Sequence, residues 1–502
     1  MFGKNALKTA LSVLLLFSML FCILTGCSEK NPNGEDTSTT ASANSDVPSE
    51  PAETTIYEDL PTGKYDGKTF SIYTSTHNWA ICEILSEEIT GDEVRDAQYA
   101  RTEQVKKRLG NIEFIEKTAA ETTILPALEA QVLTNTQDYQ LVTMNAANAY
   151  SCAIKDEVLD ISTLPGVNLE KPWWASKYND SVNMGGKYFI AFGDLSLVYH
   201  GAFYILMFNS DMISSLHLED PFKLVDEGNW TWAKMYEMMI SAASDNGDGI
   251  VQADLDNFGL SGHRVHFKHF MVTANAFLCE NDNEGLPVYN GASETFINAY
   301  TDLVNKFLAN DQLVTIDGVS KSLNGVPSMV SGQGAYRDVF RQGRCLFLTE
   351  GTGALYMHKD SGIPYGIVPF PMFEAGYNPT TMNTAVYSAT TGPIVPSNVA
   401  DEDFVGAVLE CLCAYSYETS ALEFVKNTLS YRYVDDANSL AMVNRILANG
   451  VVDRAFAFDF GKVANTFDGA LSVKSPNIAT ALKMLENTIK ADITKYTDAF
   501  AN

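Results

Sequence analysis

The residues best equipped for chemistry outside a conventional active site are oxygen donors. They crowd into the stretch from Ser244 to Asp256, with Asp245, Asn246, Asp248, Asp254 and Asp256 spaced around Gly247 and Gly249. A calcium loop alternates oxygen ligands and needs a glycine for its turn. Counted from Ser244, Asn246, Asp248 and Gly249 occupy the third, fifth and sixth positions of such a loop. Ser244 and Leu255 stand at the first and twelfth, where ligands are expected, and the last acid is displaced to Asp254 or Asp256. The stretch is either a calcium loop or a metal-free acidic turn. His263, His266 and His269 recur every third residue. On a helix they would spread over about 120°, too wide for an easy three-ligand zinc site, and ordinary partly exposed histidines are the alternative. No nucleophile elbow, phosphate loop or zinc-protease motif occurs. Cys82, Cys152, Cys279, Cys345, Cys411 and Cys413 are scattered without a disulfide framework and read as small core residues.

Several elements must position whatever site there is. Phe70–Thr74, Ile112–Ile115 and Tyr139–Met144 have strand character. Between them, Asp92–Leu109 carries Val94, Ala97, Val105 and Leu109 on one helical face, with Gly110 as its stop, and Thr123–Leu133 is a second helix. Further strand candidates are Tyr188–Phe192, Phe203–Phe208, Cys345–Thr349, Tyr365–Pro369 and Tyr387–Val395. The chain ends in helices, the last with Ser475 as N-cap, Pro476 in the first turn, and Ile478, Leu482, Leu485, Ile489 and Ile493 on one stripe. Alternation of this kind predicts an α/β layer structure, and the length of 502 residues allows two or three lobes.

The N-terminus and the charge fix the surroundings. Lys4 and Lys8 precede an apolar run, Leu11–Leu24, that ends in Leu24-Thr25-Gly26-Cys27. This has the order of a secretory signal peptide. Its ending resembles the lipobox of bacterial lipoproteins, which implies cleavage after Gly26 and lipidation of Cys27. Ser28–Thr55 is rich in Ser, Thr, Asn, Pro and acids and nearly lacks large apolar residues, so it reads as a disordered tether of about 30 Å root-mean-square reach. The net charge is −28, and loss of the leader makes the remainder more acidic, since the leader carries two lysines and no acid. Such a body disfavours nucleic acid and anionic lipid surfaces as partners.

A succession of motifs then becomes informative: Asp92-Glu93-Val94-Arg95-Asp96-Ala97 opening a helix that ends Val105-Lys106-Lys107-Arg108-Leu109, then Tyr139-Gln140-Leu141-Val142, Lys171-Pro172-Trp173-Trp174, Gly185-Gly186-Lys187-Tyr188, Gly193-Asp194-Leu195-Ser196-Leu197, a strand ending Phe208-Asn209, and Asn229-Trp230-Thr231-Trp232 before an Asp/Gly-rich loop. In this order, from about Tyr65 to Phe500, they resemble the extracellular solute-binding proteins of ABC importers, the family of maltose- and oligosaccharide-binding proteins, in its Gram-positive lipoprotein branch. The resemblance implies an α/β, two-lobed periplasmic-binding-protein-like fold with discontinuous lobes, a hinge and an interlobe cleft. It implies residues 1–26 as signal peptide, 27–56 as lipid anchor and tether, and 57–502 as the binding body. In that body a first hinge crossing falls near 195–205, the second lobe lies mainly in 206–345, later crossings fall within 346–400, and the C-terminal helices occupy 401–502. The implied protein is a monomer without a required cofactor, anchored at the extracellular face of the cell membrane. It passes a sugar or oligosaccharide to ABC permease subunits and performs no reaction.

Loops that follow strands face the cleft in that family, as open α/β sheets generally place ligands. His77 and Trp79 follow the first strand; Trp79 is either a stacking platform for a sugar ring or a packed core indole. Asn145 and Asn148 either bond hydroxyls or shape a turn. Asp194 stands where related sugar binders often hold an acid, and Glu350, beside Gly351 and Gly353, is its match from the other lobe. Phe267 and Phe458 are further aromatic candidates, against core packing; of Trp173 and Trp174 at least one reads as structural. Asp194 and Glu350 facing one another would also suit a secreted carbohydrate-active hydrolase, and a sensory or adhesive lipoprotein would reuse the fold without a transporter. Metabolic labelling with a fatty-acid analogue should mark the wild-type protein, and Cys27→Ala should be unlabelled and shed to the medium; equal labelling of both removes the lipid anchor.

Overall fold

The computed structural model describes residues 57–63, 65–329, 334–358, 361–429 and 436–500. Cys27, the leader and the tether lie outside them. The body, Ile56–Asn502, is one compact unit. Its strands, in chain order, are β1 (Thr69–Ser75), β2 (Glu113–Ala119), β3 (Leu141–Asn145), β4 (Tyr204–Asn209), β5 (Phe258–His263), β6 (Cys279–Asn281), β7 (Pro287–Tyr289), β8 (Val314–Asp317), β9 (Cys345–Gly351), β10 (Tyr365–Pro369), β11 (Thr384–Ala385), β12 (Thr391–Ile394) and β13 (Gly450–Val451).

Two sheets define two lobes. The first has the order β12-β3-β1-β2, with β1 parallel to β2 and β3 and with β12 antiparallel to β3. The second has the order β10-β4-β9-β5-β8, with β10, β9, β5 and β8 running the same way and β4 alone reversed between β10 and β9. Every residue of β4 and β10 is buried, as for strands covered on both faces. β2, at an edge, alternates exposed and half-buried residues. The second sheet extends to Pro369, past residue 345, because β9 and β10 both belong to it.

Local signals account for the element ends. Asp92 caps the helix Glu93–Arg108 by accepting from Arg95 N at 2.9 Å, with acids in the first turn and Lys106, Lys107 and Arg108 in the last. Thr231 caps Trp232–Ala242 through Lys234 N at 3.1 Å. The indoles on either side of Thr231 fasten that helix to the end of β10: Trp230 Nε1 donates to the Pro369 carbonyl and Trp232 Nε1 to that of Pro371, each at 2.9 Å. Of the strand candidate Tyr387–Val395 only Thr391–Ile394 is strand, and two further expectations fail. Tyr188–Phe192 forms no strand, although Ile190, Ala191 and Phe192 are buried; the Phe192 carbonyl accepts from Ala175 N, and the segment packs beside β12 with one backbone bond to it, from Ala191 N to the Pro393 carbonyl at 3.4 Å. The last helix begins at Ala479, after Ser475 and Pro476, yet its buried stripe of Leu482, Ile489 and Ile493 is the one the periodicity gives.

The chain passes between the sheets at 197–204 and again between β10 and β12, and these passages run side by side. Phe203 bridges Val386, and Tyr387 N donates to the Ala202 carbonyl at 2.8 Å. β11 pairs in parallel with β13 beside them. A Cβ on Gly450 would sit 2.8 Å from both the Phe203 ring and Val386, so only glycine permits this approach.

Behind the first sheet, the helix Glu402–Tyr417 packs on Glu93–Arg108 around Trp173 and Trp174. Glu410 is buried there, and its Oε1 accepts from Trp173 Nε1 at 3.0 Å while Oε2 accepts from Trp174 Nε1 at 2.9 Å and Asn168 N at 3.2 Å. Both tryptophans are thus structural. Among the described residues no helix is long and apolar enough to cross a membrane. Removing the Glu410 carboxylate leaves three buried donors unpaired, each worth about 1–3 kcal/mol. Glu410→Ala should therefore lose about 2–5 kcal/mol in urea unfolding, and Glu410→Gln, which keeps an acceptor, distinctly less.

Candidate functional site: a cleft floor of aromatic rings and a buried ion pair

The loops after β1 and β3 of the first sheet, and after β5 and β9 of the second, converge where the crossovers run. There a cavity of about 280 Å³ is lined by Trp79, Tyr387, Tyr204, His263, His266, Tyr336, Arg337 and Glu350, with Gly201, Ala202, Val265, Gly351 and Ala354 between them. Trp79 stands edge-on to Tyr387 at 5.6 Å between ring centroids. His77 props Trp79, its ring 5.1 Å away and its Nε2 3.0 Å from Thr391 Oγ1. Burial holds the His77 imidazole below its usual range, with Glu121 opposing. Beneath this loop, the Ser75, Thr143 and Thr391 hydroxyls join the ends of β1, β3 and β12.

Glu350 is the anchor of the opposite wall and is 1% exposed. Oε1 accepts from Arg337 Nη2 at 2.9 Å and from Gly351 N at 3.0 Å. Oε2 accepts from Arg337 Nε and from His358 Nε2, the latter at 3.1 Å. A carboxylate partner requires the proton on that imidazole nitrogen. Burial raises the carboxyl pKa, but hydrogen bonds from Arg337 and His358 overcome it and hold the group well below the usual carboxylate range. Both oxygens are consumed inside the protein. What Glu350 presents to the cavity is its partner: Arg337 Nη1 has no hydrogen-bond partner among the described residues, and the guanidinium lies over the Tyr336 ring at 4.9 Å. His266 is buried, with Nδ1 2.9 Å from Thr349 Oγ1, and desolvation lowers its pKa to about 3. His263 is shifted down for the same reason, so both rings are neutral at pH 7.

Gly351, which ends β9, and Gly353 beyond it serve unequally. A Cβ on Gly353 would stand 2.6 Å from the Trp79 carbonyl and 3.0 Å from that of Gly201, so this close approach excludes any side chain. One on Gly351 would make only ordinary contacts.

Trp79 and Glu350 are therefore brought into one cavity, and the other expected residues are not. Asp194 lines a second, larger cavity of about 770 Å³, with Trp174, Tyr178, Tyr199, His200, Tyr417 and the helices that follow. Its Oδ1 is 2.9 Å from His200 Nε2, and burial raises its pKa against that bond. His200 and Gly201 are adjacent in sequence but line different cavities, so the crossover itself separates Asp194 from Glu350. Asn145 caps the helix Ala146–Ala153 by accepting from Asn148 N at 3.0 Å. Asn145 N and Asn148 Nδ2 both donate to Glu121 Oε1, at 2.9 and 2.7 Å, so these residues shape the turn. Phe267 is core, stacked on Phe270 at 5.6 Å, and Phe458 packs edge-on against Tyr150 at 5.2 Å.

The acidic loop precedes β5 and so lies at the end of that strand away from the cleft. Asp245 Oδ1 accepts from Gly247 N and Gly249 N, Asp248 Oδ1 from Ile250 N, and Asp256 from Asn246 N and Gln252 N. Asn246 accepts from Asp248 N, and Asp254 is exposed. The carboxylates thus satisfy the turn's own backbone. Among the described residues no three His, Cys, Asp or Glu side chains are grouped to hold a metal ion. This includes the histidines: His263 ends β5, while His269 stacks on Tyr204 at 4.4 Å.

Sequence reasoning missed Arg337, Tyr336, Tyr204 and Tyr387. Tyr204 and Tyr387 fall in the strand candidates Phe203–Phe208 and Tyr387–Val395, and a strand pattern alone does not show which face meets a cavity. Arg337 lies in the helix Ala335–Arg341 and gains its role only from the β9 carboxylate beside it.

A depressed carboxyl contributes stability that is complete above the unfolded-state pKa of about 4.3 and is lost as pH falls toward the folded-state value. Glu350→Gln should cost about 3–5 kcal/mol at pH 7, because it strands Arg337. The deficit relative to wild type should shrink between about pH 4 and pH 2. A deficit independent of pH in that window would show that Glu350 is not ionised by this pair.

No family model and no curated protein matches the chain. Solved structures do. UspC of M. tuberculosis is 15% identical, with a TM-score of 0.55 over 84% of this chain and 99% of its own. A cyclo/maltodextrin-binding protein complexed with maltotetraose is 13% identical, with a TM-score of 0.55 over 86% and 99%. An ABC substrate-binding protein from Listeria monocytogenes, in complex with cycloalternan, is 17% identical, with a TM-score of 0.51 over 86% and 100%. At such identities the likeness concerns the backbone, and on it the chain has the two-lobed α/β periplasmic-binding-protein-like fold of these solute-binding proteins.

Proposed function

We propose that this chain is an extracellular solute-binding protein, held at the membrane by lipid on Cys27, that captures a sugar or oligosaccharide between its lobes and delivers it to an ABC permease without altering it. The observation that carries this reading is the cavity at the converging strand ends, walled by Trp79, Tyr204, Tyr336 and Tyr387. Aromatic faces stack on the apolar faces of pyranose rings, while phenols and ring nitrogens meet the hydroxyls. The similar structures support the ligand class, since two of them hold maltotetraose or cycloalternan. At about 280 Å³ the cavity is at the small end for ligand pockets, which suits one or two sugar residues at this point. Export and anchoring rest on the leader and the Leu24-Thr25-Gly26-Cys27 motif.

A glycoside hydrolase is disfavoured on specific grounds. It needs two carboxyl groups across the scissile bond. Glu350 is the one acid lining the cleft cavity among the described residues, its oxygens are engaged, and Asp194 lines the other cavity. The wild-type protein should bind a member of a mono- and oligosaccharide panel reversibly in calorimetry, and chromatography should recover the sugar intact. Trp79→Ala should weaken that binding about 10- to 100-fold with the fold retained, through lost stacking area. Unchanged affinity would take Trp79 out of the site, and a hydrolysed sugar would overturn the non-enzymatic reading.

A further inference from the structure

The charge pattern of the cleft floor is unusual for a pocket that would receive a neutral sugar. Hydroxyl groups donate as well as accept, and an open carboxylate is the side chain that best takes their protons. Here the sole acid lining the cavity among the described residues, Glu350, accepts from two nitrogens of Arg337, from His358 Nε2 and from Gly351 N, and offers nothing further. The free charged group is instead a donor. Arg337 Nε and Nη2 are locked on Glu350, which fixes the plane of the guanidinium; Nη1 is left without a partner among the described residues, and Arg337 lines the cavity. The Arg337 side chain is 14% exposed, so a group meeting it there is largely withdrawn from water. The remaining polar ends on the wall belong to neutral imidazoles and phenols, which add no negative charge to oppose an anion.

We propose that the ligand is an acidic saccharide, a uronic acid or an oligosaccharide containing one, whose carboxylate is received by Arg337 Nη1 while its ring stacks within the walls of Trp79 and Tyr387. This rests on the reading of the cleft as a saccharide site. Glu350 acts as a positioning residue: it holds the guanidinium in one orientation, so the ordering of a long side chain precedes binding. His358, Gly351 and the start of the turn Thr352–His358 hold Glu350 in turn.

The test is calorimetry on the whole secreted body with matched pairs: glucuronate and galacturonate, their methyl glycosides and their dimers, each beside its neutral glucose or galactose counterpart. In the wild type the acidic member of a pair should bind at least 10-fold tighter than the neutral one, and added salt should weaken the acidic member more. Arg337→Gln alone strands a buried carboxylate and is prone to misfold, so the decisive variant is Arg337→Gln with Glu350→Gln, which removes both charges together. It should lose the preference for the acid, about 10- to 100-fold, so that the acidic and neutral members of each pair bind alike. Neutral members binding as well as the acids, or a preference that survives in the double variant, would overturn the carboxylate assignment and leave the saccharide site standing. Failure of every sugar, acidic and neutral, to bind would overturn both.

Discussion

The structure depends on a constraint of chain path: two sheets are each assembled from segments far apart in sequence, and the passages between them must lie side by side. Phe203, Val386 and Gly450 meet at that point, joined by a bridge and by the hydrogen bond from Tyr387 N to the Ala202 carbonyl. Close backbone approach there is bought with glycine. The same passages set the floor of the cleft, since Gly201, Ala202, Tyr204 and Tyr387 all line it. Fold and site are therefore one arrangement, and a ligand that touches these residues touches the elements about which the lobes would move.

The Arg337–Glu350–His358 cluster is the costly part. A buried carboxylate is tolerated because four donors replace the water it loses. The gain is orientation: a flexible arginine becomes a fixed donor beside rigid aromatic rings. Two side chains of the cluster come from the helix Ala335–Arg341 and the turn Thr352–His358, which flank β9 in sequence, so the sheet's own strand brings them together.

Asp194 illustrates how a sound local argument can place a residue on the wrong side of a wall. It is acidic, half-buried and paired with a histidine, as a binding carboxylate would be. The crossover helix Leu197–Gly201 stands between it and Glu350, and no spacing in the sequence encodes which side of that helix a loop falls on. In the acidic loop, whose composition suits a cation, Asp245 and Asp248 accept from the N–H groups of Gly247, Gly249 and Ile250.

By itself the sequence determined the β1 to β3 strands of the first sheet, β4, β9 and β10 of the second but not β5 or β8, the stripes of the long helices and the position of Trp79 and Glu350 at strand ends, because side-chain periodicity and strand termini are local properties. β10 and the helix from Glu93 to Arg108 lie where their patterns put them. The fate of Tyr188–Phe192 was not local: its apolar run is buried, but the Asn179 side chain takes both the N–H and the carbonyl of Phe192, and the open edge of β12 receives only the bond from Ala191 N to the Pro393 carbonyl. Tertiary structure alone decided that Glu350 would spend its oxygens on Arg337 and His358, that Tyr204 and Tyr387 would face a cavity, and that Asp194 would be walled off. Each of these depends on which distant segments meet, and that is fixed by the packing of whole sheets rather than by any residue's neighbours in the chain.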